Sequence, residues 1–215
     1  MDSDRGAGRP AEVTHSTEAT SAVSASYAAR RRISFPLGWW GVMLLVATET
    51  AFFGTLIASY FYLRLKATQW PPPGIGAPDV TAPLILTAVL VASSVPMFLA
   101  VRGARRGAVG RTWLMLLLAL ALQAAYLGVQ IHLFGSDLDR FKPDETAYGS
   151  IYFTLLAAHH LHVVVGILMV VWLLARLVSG FTNYRLIAVS AVAIYWYFVS
   201  VAAIAVVLTQ ISPTL

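Results

Sequence analysis

Cysteine is absent from all 215 residues. That excludes disulfides, thiolate zinc sites, iron–sulfur clusters, thiolate-bridged copper and thiol catalysis. Charge is scarce as well: 12% of the residues are charged and 58% hydrophobic, whereas soluble domains carry about 25% charged residues. No hydrophilic stretch is long enough to fold alone, which argues against a soluble enzyme held by one anchor. A phosphate loop, a Ser–His–Asp candidate and paired carboxylates within one apolar run are also missing, against a nucleotide-driven pump or a hydrolase. The formal charge of +5 does not indicate nucleic acid. The basic residues fall at the ends of apolar runs, where membrane topology accounts for them.

What the chain does have is apolar length. A bilayer helix needs about 20 apolar residues, and there are five such runs: Leu37 to Leu63, Thr81 to Val101, Trp113 to Phe134, Ser150 to Leu177 and Leu186 to Ile211. The expected fold is an all-α integral membrane bundle of five transmembrane helices. Residues 1–32 are rich in Ser, Ala, Thr and Gly and read as a disordered cytoplasmic tail, leaving 33–215 as the membrane domain. No signal-peptide core lies in that tail, so the first span is expected to be retained. Trp39 and Trp40 at the entry of span one, and Tyr60 and Tyr62 at its exit, form aromatic belts. The loop after it, WPPPGIGAP, reads as rigid and extended. Pro96 is expected to kink span two. Of the fifteen Lys and Arg, eleven fall on the tail and the even loops and four on the odd loops. The tail and even loops are therefore expected inside and the C-terminus outside.

The apolar spans contain one carboxylate, Glu49. An acid at bilayer depth costs several kcal/mol unless it is protonated, paired or wet. Glu49 lies ~18 Å along the helix from Leu37, near mid-span. The readings are a proton-relay member, a lipid or ion ligand, a reactive acid, or a packed acid bonded to a neighbouring helix. Span four carries His159, His160 and His162. His159 and His162 are three apart and share a face, and His159 lies ~14 Å from Ser150, at a depth similar to Glu49. Either histidine is therefore a candidate partner for Glu49. Imidazoles also ligate haem or metal, but facing spans offer few further ligands, so interhelical hydrogen bonding is the reading taken. Gln123 and Gln130 share a face of span three and read the same way. Arg64 and Lys66 read as snorkelling cations. Lipid headgroup contact is a second role for Arg64, Arg176 and Arg185, beside the interfacial Trp39 and Trp40.

From Gly38 to Ile211 the chain resembles subunit III of the haem–copper terminal oxidases, which reduce oxygen with electrons from cytochrome c or quinol. The resemblance rests on Trp40-Gly41, Thr48-Glu49-Thr50-Ala51-Phe52-Phe53 and Tyr60-Phe61-Tyr62-Leu63-Arg64 in span one, Ser93-Ser94 in span two and Gln130 in span three. It is strongest at Tyr148-Gly149-Ser150 through Phe153 and His159 to Leu161-His162-Val163 and Gly166. Glu49 falls on the family's carbodiimide-reactive carboxylate. The chain departs at His160, where the family carries Gly, and at Leu133, where an acid is usual. It departs again at Tyr197 and Ser200, which replace a His and an Asp, and at Ser190, which stands for an earlier acid. The resemblance implies a non-redox accessory subunit in a bacterial inner membrane, with Glu49 as the functional polar residue and His159 and His162 as its partners. Haem and copper would reside in partner subunits I and II, and this chain, without cofactor or metal, would hold phospholipid and support proton uptake and turnover stability. Alternatives are an accessory subunit of a nitric oxide reductase, a stand-alone transporter or channel, and a membrane metalloenzyme.

Overall fold

The computed structural model describes residues 37–76, 79–178 and 183–214. Residues 1–32, read as a tail, lie outside them, and so does the side chain of Arg185. The chain divides into two compact units, Met1–Trp40 and Gly41–Leu215. Of the first, only the opening turn of α1 is described.

The described residues form α1 (Leu37–Lys66), α2 (Thr81–Ala92), α3 (Ser94–Arg105), α4 (Val109–Arg140), α5 (Ala147–Leu177), α6 (Asn183–Ile211) and a 3₁₀ turn, Ser212–Thr214. Five spans among them are long and apolar enough to cross a membrane, with α2 and α3 sharing one. This is a multi-pass membrane protein. Hydrocarbon offers the backbone no outside hydrogen-bond partner, and an apolar run of about 20 residues satisfies itself as a helix.

The helices outrun the apolar runs. α4 continues to Arg140, taking Asp137 and Asp139 out of the expected loop, and α5 begins at Ala147. Thr146 caps α5, accepting the Gly149 N–H at 3.0 Å, which satisfies a donor that the first turn leaves open. Span two is interrupted just before Pro96, at Ser93, which keeps right-handed helical dihedrals (φ −63, ψ −15). Pro96 has no N–H for the Ala92 carbonyl, and α2 ends at Ala92 with α3 starting at Ser94. The loop after α1 folds back instead of running extended. Ile75 N–H donates to the Pro72 carbonyl at 3.2 Å, with Pro73 and Gly74 at the corners. Gly74 has φ +93, the third-position conformation of a type II turn.

Spans two to five close into a ring, each packed on its sequence neighbour and span five returning to span two. The inward stripe of α4 is Thr112, Leu116, Ala119, Gln123, Tyr126 and Gln130, all buried, a spacing of four and three residues that follows one helix face. From Gly41 to Lys66, α1 stands outside the ring. No described Cα of α1 comes within 8 Å of another helix, so it reaches the ring through large side chains. Phe53 packs on Leu155, Ala202 and Val206. Tyr60 accepts the Trp70 indole N–H at 3.0 Å, and Arg64 donates to Ser212 at 2.7 Å.

α5 and α6 approach closely at Gly166. A Cβ at Gly166 would lie 2.6 Å from the Trp196 ring, and that ring is fully buried with its N–H donating to Ser93 at 2.8 Å. The indole is held at the helix break and cannot retreat. Gly166→Ala is therefore expected to destabilise the protein by about 1–3 kcal/mol through overpacking, read as a lowered thermal midpoint. An unchanged midpoint would show that the α5–α6 contact has slack.

Candidate functional site

Glu49 lies one helical turn before Phe53, on the side of α1 that faces the ring. Its Oε2 is 2.9 Å from Nε2 of His162 on α5. The other ring nitrogen, Nδ1, is 2.7 Å from the Ala158 carbonyl. A carbonyl oxygen only accepts, so Nδ1 carries a proton and donates it. The proton between Oε2 and Nε2 then belongs to the pair: either the carboxyl donates to a neutral imidazole, or an imidazolium donates to a carboxylate. Both arrangements are net neutral, which is what an acid at this depth requires. Three rings surround the imidazole, with centroids at 6.2 Å for Phe52, 5.0 Å for Phe53 and 6.5 Å for Phe198. The pair is not sealed: the His162 side chain is 13% exposed and that of Glu49 26%.

Of the two histidines expected near Glu49, His162 makes the bond and His159 makes a different one. The His159 Nε2 lies 3.3 Å from the Tyr126 hydroxyl, which accepts the Gln130 side-chain N–H at 3.2 Å. Three residues along a helix still differ by ~60° in azimuth, enough to turn His159 into the ring while His162 faces α1. Phe53 stands between them, with its ring also 6.5 Å from His159. Tyr126 was not singled out in the sequence. Its position three residues after Gln123 and four before Gln130 places it on their stripe, and that spacing was the available signal. His160 is edge-on to Phe134 at 5.7 Å.

Two of the residues that depart from the resembled pattern, Ser200 and Ser190, are hydrogen-bonded. Ser200 bonds Ser94 at 3.0 Å, so two hydroxyls join α3 and α6. Ser190 turns back to the Leu186 carbonyl at 3.2 Å. Among the interfacial candidates, Arg64 is tied to Ser212. Trp40 is exposed, Trp39 lies at the same end of α1, and Arg176 sits 5.8 Å over the exposed Trp172 ring. Among the described residues no three His, Asp or Glu side chains converge as a metal site would require. The chemistry the arrangement supports is the holding and shifting of a proton within the Glu49–His162 pair.

His162→Leu leaves the Glu49 carboxyl without its partner and is expected to cost about 1–3 kcal/mol. The double substitution Glu49→Leu with His162→Leu is expected to recover most of that loss. A double-mutant cycle on thermal stability reads the coupling, and simple additivity would mean that the two side chains do not interact.

The model of the family described as cytochrome c oxidase subunit III matches residues 20–210. Among curated proteins, the cytochrome bo(3) ubiquinol oxidase subunit 3 of Pseudomonas aeruginosa is 30% identical over 75% of this chain and 78% of its own length. The probable cytochrome c oxidase subunit 3 of Nocardia farcinica is 33% identical over 75% and 80%. The cytochrome c oxidase subunit 3 of Bacillus subtilis is 29% identical over 77% and 79%. With the family's span of the chain and its named relatives added to the five-span geometry, this chain belongs to the cytochrome c oxidase subunit III family, as an accessory subunit of a haem–copper oxidase.

Proposed function

We propose that this chain packs against the haem- and copper-bearing catalytic subunit I of a respiratory oxidase, beside subunit II, and supports proton uptake and turnover stability during oxygen reduction. The observation that carries the reading is the Glu49–His162 pair, a proton-sharing couple held at mid-span by its own net neutrality. The relatives are named for ubiquinol and for cytochrome c oxidation, and the proposal is for the role they have in common. The complex sits in a bacterial inner membrane, with the N-terminus of this chain cytoplasmic and the C-terminus outside, following the distribution of Lys and Arg. Phospholipid is held at the span ends, where Trp40 and the Arg176–Trp172 pair offer an aromatic and cationic surface.

A tagged copy expressed in its own membrane is expected to co-purify with a haem-absorbing partner, while the chain alone shows no haem band and no stoichiometric copper. Haem or copper bound to the isolated chain would overturn the assignment of those cofactors to partners. Depleting the subunit is expected to leave the haem content and the first turnovers intact and to shorten the working life of the complex. A depleted complex as durable as the whole would remove the stabilising role. For orientation, an alkaline phosphatase fused at the C-terminus is expected to be active and one fused at the N-terminus inactive.

A further inference from the structure

At the loop-one end the four ring spans and the folded loop line a partly open cavity of about 470 Å³. Its wall is polar in part: Asp79, Gln130, Asp137, Arg140, Tyr152 and Gln210 line it, with the Tyr152 hydroxyl donating to Asp137 at 2.9 Å. The Glu49–His162 pair uses none of these groups.

Two observations join this cavity to the interior. Gln210 is 4% exposed, lines the cavity, and its Nε2 has no hydrogen-bond partner among the described residues. A buried amide donor left unmade costs about 1–3 kcal/mol, and a polar cavity of this size holds water that removes the cost. Gln130, on the same wall, begins the chain that runs to Tyr126 and His159, and all three side chains are buried. Hydrogen-bond counting gives that chain a direction. The Gln130 amide nitrogen donates to the Tyr126 oxygen, so the hydroxyl proton is free to point at His159 Nε2, which accepts. The neutral ring then carries its proton on Nδ1, and Nδ1 is buried with no partner among the described residues. That second orphan donor also calls for water.

We propose that the cavity is the mouth of a water-filled half-channel that reaches His159 from the loop-one side and lets this buried imidazole exchange protons with the aqueous phase there. The ligand is water. The Nδ1 proton passes to a water molecule and a solvent proton replaces it, so the ring ends as it began. The inference goes beyond the accessory role and stands whether or not that role holds.

The test uses the intact complex in sealed lipid vesicles. The chain has no cysteine of its own, so Gln210→Cys places a single thiol in this subunit, on the cavity wall. A membrane-impermeant thiosulfonate is expected to modify it from the loop-one side and not from the other. With histidine labelled in nitrogen-15, the His159 ring N–H signal is followed after transfer to deuterated buffer. The signal is expected to exchange readily in the parent complex and roughly tenfold more slowly once the thiol carries its plug. Gln130→Leu is expected to slow the exchange as well, and Asp79→Cys at the rim replaces Gln210→Cys if the latter fails to assemble. A thiol that is inert, or reached only from the opposite side, overturns the proposal. So does a His159 proton that persists in the parent complex, or one whose exchange ignores the plug.

Discussion

A carboxyl group in the middle of a bilayer must be neutral together with whatever it touches, and in this chain one imidazole meets that demand. The Glu49–His162 contact is short at 2.9 Å, and the Ala158 carbonyl behind it removes one degree of freedom from the ring by holding Nδ1 as a donor. The pair therefore has one proton to place and two places for it. Moving that proton changes no net charge, but it turns a neutral pair into an ion pair, whose desolvation the apolar surroundings oppose unless the two charges stay hydrogen-bonded.

The same contact explains how α1 is held. That helix makes no close backbone approach to the ring and is seated by side chains. Glu49 reaches His162, Phe53 fills the gap to Leu155, Ala202 and Val206, and Arg64 closes on Ser212. Within the ring the opposite principle applies. Helices approach closely where one side chain is missing, as at Gly166 beneath the Trp196 indole, and the indole N–H is then satisfied by Ser93 at the break between α2 and α3. Close van der Waals packing and interhelical hydrogen bonds have to carry this part of the fold, because lipid is as apolar as the side chains it would replace.

Two polar systems thus lie on either side of Phe53. One is the Glu49–His162 pair, turned toward the outer helix. The other is the Gln130–Tyr126–His159 chain, turned into the ring and toward the polar cavity. Phe53 packs against both histidines, with centroids at 5.0 Å and 6.5 Å. The geometry explains why the two histidines of one helix have different partners.

Composition and periodicity by themselves determined the number of spans, their helical form and the position of the lone acid, because hydrocarbon offers the backbone no outside hydrogen-bond partner and makes any carboxylate conspicuous. The depth argument also brought Glu49 and the span-four histidines to one level. Helix ends were less legible: α4 runs on to Arg140 because hydrogen bonding within a helix does not stop where hydrocarbon does. The turn at Gly74 was hidden behind a proline run that suggested extension. Which histidine meets Glu49, that Tyr126 takes the other, and that a polar cavity opens at the end of the ring were decided only by the tertiary structure. Those outcomes depend on the rotation of each helix about its own axis, and rotation is set by packing against neighbours that a linear pattern of residues does not contain.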